Sequence, residues 1–174
     1  MKNLTPFLTL LIAFSLITLG SACNKDDDDA MPSNVLIIDG NTYNLAKGFI
    51  EDFGDNGNGS FDFDITLASS EISAASGFLV GTGDAIYMDL NTNNMNGLVA
   101  GTYNYTALRD AFTMVEGNTF EDFDFSNIAD TFGSISSGSV TVSLNGNETR
   151  FEWDFMTTDN KSVTGNFQGV LQEI

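Results

Sequence analysis

The stretch Asp52-Phe53-Gly54-Asp55-Asn56-Gly57-Asn58-Gly59-Ser60 sets carboxylate and amide oxygens among glycines. Calcium loops are built from such oxygens on tightly bent chain. Here the spacing departs from Asp-x-Asn-x-Asn-Gly, and no glutamate stands at the twelfth position. A plain hairpin loop is therefore the expectation. Arg150, Glu152 and Asp154 share one face of a strand, with the two carboxylates roughly 7 Å apart. That spacing would tolerate glycosidase-type acid/base work. Nothing around it suggests a sugar cleft, so a solvated face with an Arg–acid pair is expected. Phe151, Trp153 and Phe155 alternate with those charges and read as a core face rather than a sugar platform. Tyr87, Tyr103 and Tyr105 are better candidates for an exposed aromatic patch. Their ordinary alternative is strand tyrosines with packed rings and wet hydroxyls.

What is missing narrows the chemistry further. The chain of 174 residues contains no histidine and one cysteine, Cys23. Ser-His-Asp and Cys-His machinery, His-ligated zinc and thiolate sites past Cys23 are thereby removed. Carboxylates, hydroxyls, Tyr, Lys and Arg remain, and no cofactor is implied.

Met1 to Ala22 has the parts of a secretory signal. Lys2 supplies the basic start, Phe7 to Leu19 an apolar run broken by Thr9, Ser15 and Thr18, and Gly20, Ser21 and Ala22 the small residues. The run is shorter than the roughly 20 apolar residues a bilayer requires, and acids rather than bases follow it. Cleavage would expose Cys23. Next come Lys25 and the block Asp26, Asp27, Asp28 and Asp29, whose like charges repel and stay solvated. Gly20-Ser21-Ala22-Cys23 resembles the lipobox of bacterial lipoproteins, with Gly20 where leucine is commonest. Lys25 with the four aspartates resembles the surface-export signal of Bacteroidota lipoproteins. These resemblances imply a lipid on Cys23, an outer-membrane address and exposure at the cell surface.

The expected organisation is a signal over 1–22, a lipidated acidic tether over 23–34 and one domain over 35–174. Past the signal, Lys25, Lys47, Arg109, Arg150 and Lys161 face 24 acids, a formal charge of −19. Such a chain repels phosphate backbones and anionic lipid, which argues against nucleic-acid partners and basic-patch membrane docking. Membrane attachment must then come from Cys23.

The elements that would position any site read as antiparallel β structure, with short alternating runs bounded by Asn, Gly and Asp. Strands are expected over Val35–Asp39, Thr42 to about Phe53 with a bulge at Gly48, Phe61–Leu67, Gly77–Val80, Ala85–Leu90 and Leu98–Tyr105. Thr106–Ala111 suggests a helical turn, Phe112–Val115 a strand, and Ser126–Thr131 another helical turn. Ser139–Leu144, Glu148–Thr157 and Ser162–Ile174 form a meander turned at Asn145-Gly146-Asn147 and Thr158–Lys161, with Val140, Val142 and Leu144 inward. About eight to ten strands fit a single antiparallel β-sandwich or a flattened calycin-like β-barrel. The meander is similar to the end of calycin-like lipoprotein barrels. The functional expectation is a lipid-anchored surface protein with a non-enzymatic binding or structural role. The alternatives are a calycin-like carrier of a small apolar ligand, a glycan-binding module and a carboxylate-based hydrolase.

Overall fold

The computed structural model describes residues 33–127 and 131–174. The expected signal, Cys23, Lys25 and Asp26 to Asp29 lie outside the described residues. The strands are β1 Val35–Ile38, β2 Asn41–Asn44, β3 Lys47–Asp55, β4 Phe61–Ala68, β5 Ser73–Ala75, β6 Phe78–Val80 and β7 Thr82–Thr92. They continue with β8 Gly101–Tyr105, β9 Thr113–Asp124, β10 Gly133–Asn145, β11 Glu148–Thr157, β12 Ser162–Gly169 and β13 Leu171–Glu173. The fold is all-β, with no helix among the described residues.

Eleven strands form one sheet in the order β13-β3-β4-β7-β9-β8-β10-β11-β12-β1-β2, and β5 and β6 pair separately. The sheet is mixed rather than purely antiparallel, because β13 runs parallel to β3 and β8 parallel to β9. It curls into a half-barrel. Its concave side is filled by Leu36, Phe63, Ile65, Met88, Tyr103, Phe151, Trp153, Phe155 and Phe167.

Where alternation is strict, expectation and structure agree. Phe63, Ile65 and Leu67 are buried on one side of β4, with Asp62 and Asp64 on the other. The meander β10–β11–β12 forms with its first turn within the expected Asn145-Gly146-Asn147, where Asn145 pairs with Glu148 and Gly146-Asn147 make the loop. Leu144 is an exception: at 50 % exposure it lies outside the core, near the hairpin tip.

Four other expectations are corrected. The strand from Thr42 to Phe53 breaks at Leu45 and Ala46. The Leu45 amide donates to the Asn34 carbonyl on one side, and that of Ala46 to Ala68 on the other, so the chain changes edges. Gly48 marks a close approach instead of a bulge; a Cβ there would sit 2.5 Å from Leu171 Cδ2. The bulge of β3 lies between Asp52 and Gly54. Thr106–Ala111 is an irregular crossover, without a helical turn. Finally, Ser162–Ile174 breaks at Val170, so that β13 leaves β12 and joins β3.

A second, smaller core sits on the convex face of β3, β4, β7 and β9. Phe49, Ala68, Ile72 and Ala85 are buried there under Ala74, Leu79, Phe120, Phe125 and Ile174. Lys47 fastens the segment leading into β5, donating to the Ser70 and Ile72 carbonyls at 2.6 Å each.

Candidate functional site

The apolar side of β4 must face the core, which forces Asp62 and Asp64 onto the convex face. Register then brings in the neighbours. Glu51 on β3 pairs with Asp64, Asp64 with Asp89 on β7, and Asp89 with Glu116 on β9. Four carboxylates thus lie in one row across four adjacent strands, and Asp62 stands one pleat away opposite Asn91. Like charges placed directly opposite cost about 0.2–1 kcal/mol per pair, so such a row calls for a compensating cation.

Arg109 is that cation for Asp89 in the row and for Asp62 beside it. A parallel step from β8 to β9 requires a crossover, and residues 106–112 supply it. The crossover is held from both sides. Asn58 Nδ2 and Ser60 Oγ donate to the Arg109 carbonyl at 2.7 and 2.9 Å, and the Phe112 amide donates to the Asn91 carbonyl at 2.7 Å. The Phe112 ring packs on Tyr103 at 5.5 Å between centroids. So placed, the guanidinium takes both oxygens of Asp89 at 3.2 and 2.7 Å and forms an ion pair with Asp62 Oδ2. Side-chain exposure is 4 % for Asp89, 13 % for Asp62 and 43 % for Arg109.

Burial, with the adjacent Asp89 charge, lifts the Asp62 carboxyl to about 6 against the pull of Arg109. Asp64 rises further, to about 7, chiefly through burial, with Asp89, Asp62 and Glu51 adding to it. The Tyr87 hydroxyl donates to Asp64 Oδ2 at 2.7 Å and works the other way. Burial and this carboxylate in turn hold the Tyr87 phenol well above its ordinary range.

A stability prediction follows from Asp64. Its folded value lies above the unfolded 3.8, so the native state holds the proton more tightly. The resulting stabilisation is complete below the unfolded value and is lost as pH rises through about 7. Asp64→Asn keeps an acceptor for Tyr87 and removes the titration. It should stabilise the protein by about 1 kcal/mol at pH 8, after allowance for solvent screening, and by much less at pH 5. Urea midpoints at the two pH values check this; an equal effect at both would refute it.

Asp62, Asp64 and Asp89 each place an oxygen within 4.8 Å of the others, the one such carboxylate trio among the described residues. Arg109 already takes up two of the three. Beyond Asp64, between the row and the smaller core, lies a cleft of about 230 Å³. Glu51, Asp64 and Tyr87 form its polar end, and Phe78, Phe120 and Phe125 its apolar walls. Phe78 stands 73 % exposed at the tip of the β5–β6 hairpin, where Ser76 and Gly77 turn with positive φ. A more polar groove of about 380 Å³ lies where β10 leaves β9, bordered by Thr119, Glu121, Thr157 and Lys161.

The residues singled out from sequence divide clearly. Asp52 to Ser60 spans the bulged end of β3 and the hairpin loop, residues 56–60, that joins it to β4. Asp52 and Asp55 turn side-chain oxygens onto the Gly54 and Gly57 amides at 2.8 and 2.7 Å, and the loop buttresses Arg109. Arg150 pairs with Glu152 on an exposed face, and Phe151, Trp153 and Phe155 are core. Tyr87, Tyr103 and Tyr105 form no exposed patch. Tyr103 is fully buried, its hydroxyl donating to the Val99 carbonyl at 2.8 Å; Tyr105 packs against the core; Tyr87 binds Asp64. Sequence reading missed the grouping of Asp62, Asp64, Asp89 and Arg109. The available signal was a set of aspartates alternating with apolar residues on two strands, with one arginine in a polar connection.

Comparison with protein-family models, with curated proteins and with solved structures returns no match.

Proposed function

We propose that this chain is a lipid-anchored, surface-displayed outer-membrane lipoprotein whose all-β domain is a non-enzymatic binding module. The observation that carries the binding reading is the convex-face cleft, lined by Phe49, Phe78, Phe120 and Phe125 together with Glu51, Asp64 and Tyr87. Ligand sites have this make-up: an apolar enclosure with a few placed polar groups. In the finer reading of the fold, the half-barrel is a flattened calycin-like barrel. Two residues link β2 to β3 and one links β12 to β13, which draws the ends of the sheet together. Side chains fill its concave side, so an apolar ligand carried inside has less support than one on the convex face. A glycan module loses the tyrosine strip that would have favoured it.

The anchor rests on Gly20-Ser21-Ala22-Cys23, followed by Lys25 and four aspartates. Cys23→Ser should abolish metabolic labelling with palmitate and move the protein out of the membrane fraction. Protease added to intact cells should digest the wild type; survival there, with digestion only after lysis, would sink surface display. For the cleft, full-length protein in detergent is screened by thermal shift against small amines, sugars and fatty acids. A ligand should raise Tm by several degrees in wild type and not in Glu51→Trp, where the indole fills the polar end. No such ligand in a broad screen would count against the binding module.

A hydrolase is the second reading. It is favoured by an Asp64 carboxyl near 7 directly across from Glu51, since a general acid works best near the operating pH. Turnover of nitrophenyl glycosides or esters, abolished by Asp64→Asn, would select it.

A further inference from the structure

We infer that the convex-face cleft takes a small organic cation, an ammonium group on an apolar ring or short stem. This rests on the binding reading above and names its ligand class. The first ground is charge left over at the site. Arg109 forms its ion pairs with Asp62 and Asp89 and forms none with Asp64 or Glu51, which close the polar end of the cleft. The second ground is that the described part of the chain has no other cation to send. Lys47 is committed to two carbonyls, Arg150 to Glu152 and Lys161 to Asp159. The third is the wall chemistry. Phe78, Phe120 and Phe125 offer ring faces, to which a cation is drawn and an anion is not.

Other ligand classes fit less well. Tyr87 spends its hydroxyl hydrogen as donor to Asp64 Oδ2, so with Asp64 ionised, above about pH 7, the polar end presents acceptors. A carboxylate or phosphate would meet only repulsion there. A wholly apolar ligand would strip water from Glu51 and Asp64 and return nothing. The volume, about 230 Å³, lies below the range of about 300–1,000 Å³ typical of drug-sized ligands and suits a single ring.

Burial favours the protonated form of Asp64, whereas a cation beside it would favour the ionised one. Facing Asp64 are Glu51 from β3, Asp62 from its own strand, Tyr87 and Asp89 from β7, Glu116 along the row from β9, and Arg109 above Asp89. An ammonium arriving at the Glu51 side would displace the proton that burial keeps on Asp64, so uptake of the ligand releases a proton. Affinity should therefore be higher at pH 8 than at pH 6.

Calorimetric titration of the full chain in detergent, with benzylammonium as probe, tests this. Benzylammonium is expected to bind at least tenfold more tightly than benzyl alcohol, and benzoate not to bind. Glu51→Gln and Asp64→Asn should each weaken it about tenfold, and Asp64→Asn should abolish the preference for pH 8 over pH 6. Phe78→Ala, at an exposed position that folding does not need, should weaken it severalfold. Benzyl alcohol or a methyl glycoside binding equally well, in a manner blocked by Glu51→Trp, would overturn the cation and leave the binding module standing. N-acetyl-lysine methylamide binding more tightly than benzylammonium would make the ligand a protein side chain and overturn the small-molecule form. No binding by any probe overturns the inference and counts against the module as well.

Discussion

Arg109→Leu is expected to lower stability by about 2–4 kcal/mol at pH 8, the largest effect of any side-chain change at the site. The substitution leaves Asp89, 4 % exposed, and Asp62, 13 % exposed, facing each other without a counter-charge. Removing one partner of a fully buried pair costs about 3–5 kcal/mol; the guanidinium here is 43 % exposed, which moves the expectation down. The main-chain carbonyl that Asn58 and Ser60 hold is untouched, so the crossover should keep its path. The defect should shrink at pH 5, because burial has already brought Asp62 to about 6 and the freed carboxylates can take up protons. Adding Asp89→Leu should restore most of the loss, since two apolar side chains can replace an ion pair at little cost. Urea unfolding followed by Trp153 fluorescence reads all three. A loss under about 0.5 kcal/mol, independent of pH, would place Arg109 among ordinary surface ion pairs.

Gly138→Ala is expected to cost at least about 3 kcal/mol for a reason rooted in the curl of the sheet. β10 pairs with β9 at Gly133 and Ser134, then with β8 from Ser139 to Val142. Between these stretches its register with β11 shifts, at Ile135/Ser137. Gly138 ends this bulge with φ of +114°, and a Cβ there would lie 2.1 Å from the Asp154 carbonyl oxygen and 2.7 Å from Phe155 Cα. Both obstacles are backbone, so neither can swing aside. Gly54→Ala is the control, with φ of +85° and nothing within 4 Å of the added carbon. It should cost only the conformational strain, about 1 kcal/mol. Similar losses in the two variants would show that steric conflict at the bulge is not what makes Gly138 necessary.

Legibility along the chain tracks how local the governing interaction is. β4 and the meander could be read because strict alternation and Asn-Gly turns are properties of neighbouring residues. β9 could not, although it is twelve residues long. The register shift opposite Asp89/Leu90 flips its faces, so Met114 points into the core while Glu116 and Phe120 lie on the convex side, and a second shift follows opposite Gly83/Ala85. The parallel pair of β13 with β3 was equally hidden, since the two are more than a hundred residues apart.

By itself, the sequence determined an all-β chain, a core face holding Phe151, Trp153 and Phe155, and a strongly acidic surface without histidine chemistry. Those properties follow from residue type and period. Tertiary structure alone decided that Glu51, Asp64, Asp89 and Glu116 share a row, that Arg109 pairs with Asp89 alone among them, and that a cleft opens beside Glu51 and Asp64. The physical reason is that register between distant strands and the landing point of a crossover are set by core packing of the whole sheet. No single segment carries that information.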